Sequence, residues 1–60
     1  MKCKMLLEKE TKGALRFAEV DDKGVQVEQG AATIGTLYLR KSSFKDGKYP
    51  KAISVEVKPV

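Results

Sequence analysis

Ile53-Ser54-Val55-Glu56-Val57-Lys58 alternates β-branched apolar residues with polar ones. That period of two places the two kinds on opposite faces of an extended strand, one face buried and the other wet. Working back along the chain, residues 33–40 read almost as clearly. Leu37 and Leu39 share one face, and Thr36, Tyr38 and Arg40 share the other. Gly35 falls on the leucine face, where a strand glycine marks a bulge or a bend. Cys3, Met5 and Leu7 oppose Lys2, Lys4 and Glu8, with Leu6 breaking the alternation. Val25 to Glu28 alternates briefly and is expected to pair with Ala18 to Asp21. Ala14 to Val20 is the least regular stretch: Leu15 and Phe17 share one parity, Ala18 and Val20 the other. A bulge near Phe17-Ala18 would reconcile the two halves by adding one residue.

Between these stretches lie Thr11-Lys12-Gly13, Asp22-Lys23-Gly24 and Lys45-Asp46-Gly47. Polar triplets ending in glycine suit hairpin closure, because glycine reaches positive φ without a Cβ clash. The pattern predicts a single all-β domain over residues 1–60. Its expected form is a small antiparallel meander of four to five strands, near 2–8, 14–20, 25–28, 34–40 and 52–58. They form a curved sheet or partly open barrel of SH3 or OB size, with at most one short helical turn. The two places for such a turn are Gln29-Gly30-Ala31-Ala32, which reads more simply as a loop, and Lys41-Ser42-Ser43-Phe44. The expected inward set is Met5, Leu7, Leu15, Phe17, Leu37, Leu39, Ile53, Val55 and Val57.

Sixty residues bury only about 60% of the surface that the unfolded chain exposes. Such domains often rely on disulfides, a metal or a partner subunit. Cys3 is the only cysteine and there is no histidine, so neither an internal disulfide nor a Cys/His zinc site is available. Cys3 reads as a small buried hydrophobe. A homodimer joined through an edge strand is therefore one expected assembly. The N-terminal apolar run is too short for a secretory signal, which needs about 7–15 residues, or for a membrane span. This reading predicts a cytoplasmic protein with no membrane partner. The net charge of +4 is unevenly spread. Residues 1–17 carry five basic and two acidic side chains, residues 18–32 one and four, and residues 33–60 six and two. If the two basic ends meet in the fold, they make one basic face.

Tyr38 to Lys51 concentrates five cations and three aromatic rings in fourteen residues. Cations neutralise phosphates and rings stack on unpaired bases. This composition points to a small basic module binding DNA or RNA through Tyr38, Arg40, Lys41, Phe44, Lys45, Lys48, Tyr49 and Lys51. Lys41, Lys45 and Lys48 are expected in solvent. The competing reading has the lysines blocking edge-to-edge aggregation while Phe44 and Tyr49 plug the barrel end. The second functional class is a protein-interaction or accessory domain that accepts a partner strand by β-addition, without nucleic acid. No catalytic constellation, metal site or cofactor motif is evident, so an enzyme is not expected. Asp21-Asp22 before Lys23-Gly24 is turn chemistry. Residues 37–57 run from a strand through a polar turn and Gly47 to a second apolar strand. They loosely resemble the swapped-hairpin transcription factors of the AbrB type, without their turn proline or the Gly-Asp before the last strand. The resemblance covers about a third of the chain and implies a dimer.

Overall fold

Four antiparallel strands make up the computed structural model, which describes all 60 residues except the side chains of Gln29 and Asp46. They are β1 (Lys2–Glu10), β2 (Ala14–Val20), β3 (Thr36–Arg40) and β4 (Ala52–Glu56). The sheet curls into a half-barrel with strand order β3-β2-β1-β4. There is no α-helix among the described residues, and no helix long and apolar enough to cross a membrane. The connections hold three single 3-10 turns, at Gln29–Ala31, Lys41–Ser43 and Lys45–Gly47, where at most one helical turn was expected. Two of them fall at the two expected places.

Strand order corrects the meander. The first three strands follow one another across the sheet, but β4 returns to pair with β1, giving the order of a Greek key. The third glycine-closed triplet is therefore not a hairpin. Lys45–Gly47 lies in the connection between the two opposite edges of the sheet, so residues 37–57 form no hairpin either. Gly24 and Gly47 do take positive φ (82° and 65°), whereas Gly13 is not among the positive-φ glycines. The β1–β2 turn is instead closed by Thr11. Its N–H donates to the Ala14 carbonyl at 2.8 Å, and its Oγ1 accepts from the Ala14 N–H at 3.0 Å. Val25 to Glu28 forms no regular strand, but it does pair with the end of β2: an isolated bridge joins Gln26 to Val20, flanked by bonds from the Asp21 N–H to the Val25 carbonyl at 2.9 Å and from the Val27 N–H to the Glu19 carbonyl at 3.0 Å.

The bulge also moves. Leu7 pairs with Phe17 but Lys9 pairs with Arg16, so Glu8 is the extra residue and the irregularity lies in β1. β2 keeps one parity throughout. Ala18 and Val20 are buried on the convex face, beside Leu6, Gly24 and Gln26, because the turn after β2 folds over that end. On the concave face Met5, Leu15 and Phe17 are fully buried. Leu7, Ile34, Leu37, Leu39, Phe44, Tyr49, Ile53 and Val55 pack around them. Cys3 is buried, as expected. Val57 is the one expected core residue that is not: it lies past the end of β4 and is 42% exposed.

A carboxylate fixes the start of β3. Glu19 lies opposite Met5 on the inward face and is buried. Its Oε1 accepts the Ile34 N–H at 2.7 Å and the Thr33 and Gly35 N–H groups at 3.1 Å. The Glu19 N–H returns a bond to the Gly35 carbonyl at 2.9 Å. Gly35 holds φ at 85°, a left-handed conformation in which a Cβ is strained. These amide donors, Ile34 first, hold the Glu19 carboxyl below its ordinary value near 4.5.

The fold generates two predictions. Phe17→Ala, which empties the centre of the core, should cost about 3–5 kcal/mol, comparable to the whole stability of so small a domain, and Val57→Ala under about 0.5 kcal/mol. Urea unfolding would measure both, and similar costs would refute this placement of the core. The depressed Glu19 carboxyl contributes stability that is fully present above about pH 4.5, its ordinary value, and is lost as pH falls through the lower folded value. Glu19→Gln should lower the melting temperature at pH 7 and flatten its decline below pH 4.5. An unchanged acid profile in that variant would show that the carboxylate does not hold the loop.

Candidate functional site

The eight residues singled out in Tyr38 to Lys51 do not share one surface. Phe44 and Tyr49 turn inward from the connection between β3 and β4 and pack on the core. Their rings meet edge to face, with centroids 6.0 Å apart and planes at 77°. They plug the open side of the half-barrel, as the competing reading of these two rings had it. Lys41 is not free in solvent. Its Nζ lies 2.7 Å from Glu10 Oε1 and 5.6 Å from the centre of the Tyr49 ring, and its side chain is only 23% exposed. The bulge explains the pairing with Glu10: by adding one residue it turns Glu10 to the side of Leu15, toward the concave end. Lys45, Lys48 and Lys51 remain exposed along this strap.

Tyr38 and Arg40 belong to the other face. Both project from the convex side of β3, as Leu37 and Leu39 fill the concave side. Tyr38 is 58% exposed, the only exposed aromatic ring among the described residues. The register places Lys9, Arg16 and Tyr38 in one row across three strands, with Arg40 beside Ala14 one step further along β3. Because Glu8 is the bulge residue, Glu8 and Lys9 both oppose Arg16. Arg16 Nε, buried from solvent, then comes within 2.8 Å of Glu8 Oε2. The Tyr38 hydroxyl first, and then the Glu8 charge, raise the Arg16 pKa further.

Sequence reasoning missed Arg16 and Lys9 because they lie outside the basic–aromatic stretch. Lys9 also has the opposite parity to Lys2 and Lys4, and only the bulge at Glu8 brings it onto their face, so alternation alone carried no signal for it. By register the convex face carries Lys2, Lys4, Lys9, Arg16 and Arg40 against Glu8 and Glu56, five charges minus two, or +3. The basic ends do meet: Met1 and Val57 exchange backbone hydrogen bonds at 2.7 and 2.8 Å. A shallow depression of about 510 Å³ beside Tyr38 is lined by Thr11, Gly13, Ala14, Leu39 and Arg40 as well. Asp21 acts in its turn, where Oδ1 accepts the N–H groups of Lys23 and Val25 at 2.8 and 3.0 Å. No protein-family model, curated protein or solved structure matches the chain.

The different surroundings of the strap lysines give a direct test. Lys41→Gln removes both the ion pair and the contact with the ring, and should destabilise the domain by about 1 kcal/mol. Lys45→Gln and Lys48→Gln should leave the denaturation midpoint unchanged. Equal effects at all three positions would mean that Lys41 is as free as the others.

Proposed function

We propose that the protein is a small nucleic-acid-binding module whose binding surface is the convex face of β1, β2 and β3. One observation carries the reading: the exposed Tyr38 ring stands in a cross-strand row with Arg16 and Lys9 and next to Arg40, on a sheet face with net charge +3. An aromatic ring on a basic, helix-free sheet suits an unpaired base, since stacking is worth about 1–3 kcal/mol per base and tolerates any base. The cations around it suit the phosphates on either side of that base. An incoming phosphate competes with Glu8 for the Arg16 guanidinium. Lys45, Lys48 and Lys51 lie on the strap over the concave face and add a general field rather than contacts in the row.

Fluorescence anisotropy with single-stranded oligonucleotides at two salt concentrations tests the reading. Binding should weaken steeply with salt, and Tyr38→Ala should reduce affinity about tenfold, as the loss of one stacked base implies. Arg40→Gln should lower the salt slope by about one, and Glu8→Gln should tighten binding. Phe44 and Tyr49 variants should change stability rather than the salt slope. If chemical shifts at Lys9, Arg16, Tyr38 and Arg40 stay fixed on titration even at low salt, the convex face is not a nucleic-acid surface.

A further inference from the structure

The sheet ends in two open edges, and the hydrogen bonds on the paired sides reveal which peptide groups are free there. Leu7 N–H donates to the Lys51 carbonyl at 2.8 Å, and Val57 bonds reciprocally with Met1. With Lys2 opposite Glu56 and Leu6 opposite Ala52, residues 51, 53, 55 and 57 point their peptide groups at β1. Those of Ala52, Ser54 and Glu56 point off the sheet. On β3, the Glu19 bond to Gly35 and the Lys41 bond to Gly13 leave Thr36, Tyr38 and Arg40 pointing off in the same way, with the Thr36 N–H taken by the Ile34 carbonyl at 3.2 Å.

The molecule also exposes more surface than its mass requires. Its accessible area is 4802 Å², against about 3,900 Å² for a compact monomer of 6.6 kDa. The excess of about 900 Å² is close to the roughly 800 Å² that each partner buries in a standard interface. The radius of gyration, 11.8 Å, exceeds the value of about 10.4 Å expected for 60 residues, and the thinnest dimension is 17 Å. This is one sheet under a strap. Along β4, Ile53 and Val55 are only half-buried, and Val57 is exposed just beyond them.

We propose that a second copy of the chain completes the fold, through antiparallel pairing of the two β4 strands about a two-fold axis at Ser54. The free peptide groups are symmetric about that residue. Ser54 exchanges both bonds with its counterpart, and Ala52 of each copy faces Glu56 of the other. Ile53 then meets Val55 on the inward face, which extends the Met5 core across the junction. The other two axes through an outward-pointing residue are worse: one at Glu56 sets two carboxylates opposite each other, and one at Ala52 sets Ser54 against Pro50, which has no N–H to donate. β4 is also the better-suited edge by charge: Lys51, Glu56 and Lys58 sum to +1, whereas β3 carries Arg40 and Lys41 beside Arg16. The product is a closed dimer with one continuous eight-stranded sheet. Its β3 edges and both Tyr38 rings stay free.

Sedimentation equilibrium on the full chain, from micromolar to millimolar concentration, tests the proposal. The wild type should approach twice 6.6 kDa. Ser54→Lys places like charges on the axis, and Ser54→Pro removes the donor at a position whose N–H faces away from β1. Both variants should sediment at 6.6 kDa with a retained β-type circular dichroism spectrum. Tyr38→Lys, on the other edge, should remain dimeric. Amide exchange on the wild type, which does not depend on how the variants fold, should show Ser54 and Glu56 protected at high concentration and open on dilution. A wild type of 6.6 kDa at every concentration, a dimeric Ser54→Lys, dissociation by Tyr38→Lys, or unprotected Ser54 and Glu56 amides would each overturn the proposal.

Discussion

The Glu19 carboxylate is the contact on which the placement of β3 depends. Fifteen residues separate β2 from β3, and only an isolated bridge with its two flanking hydrogen bonds, all before Glu28, links that segment to the sheet as regular pairing. A connection this long leaves the entry point of the next strand loosely defined. Glu19 removes that freedom by accepting three consecutive amides, Thr33 to Gly35, that would otherwise lack partners. It sits in a strand already anchored on its other side by Met5. The position of β3 then brings Tyr38 alongside Arg16 and lays Leu37 and Leu39 on the core. Hydrogen bonds to an ionised acceptor are among the stronger ones, and here several converge on one group.

A single inserted residue sets the second level of organisation. Before Glu8, the odd residues of β1 face the core; after it, Glu10 does. The insertion thereby gives the strap a carboxylate for Lys41 and gives the convex face its cluster of Glu8, Lys9 and Arg16. Removing it would exchange these faces, because a one-residue slip in a strand carries every later side chain to the other side.

The parts of this architecture that local pattern encodes were legible in the sequence. Alternation located all four strands, and eight of the nine residues expected inside pack in the core. Val57 failed because alternation continues past the last paired residue, Glu56, and pattern does not register where pairing stops. Ala18 and Val20 suggested a bulge in β2, but their burial comes from the turn that covers the convex face, a tertiary effect with no local signature. Glu19 read only as one of the four acidic residues in 18–32, because its partners lie 14 to 16 residues away. The strand order did leave a signal. Eleven residues separate Arg40 from Ala52, well beyond the two to five of a hairpin loop, and two of them are apolar rings that need a core.

Those two rings decide where ligand chemistry can operate. Burying a phenylalanine-sized side chain contributes about 1.5–3 kcal/mol, and an edge-to-face aromatic pair adds about 0.5–1.5 kcal/mol. A base stacked on a ring returns about 1–3 kcal/mol. Swinging Phe44 or Tyr49 out to meet a base therefore gains no more than it loses, and it also breaks the contact of Lys41 with Tyr49. In a domain with only three fully buried side chains among the described residues, the strap stays shut. Tyr38 carries no such cost, since its ring is already in solvent and its strand is held by the backbone ladder to β2. If the protein binds nucleic acid as proposed, the aromatic platform is therefore on the convex face, and the rings in the strap contribute only by keeping that face in shape.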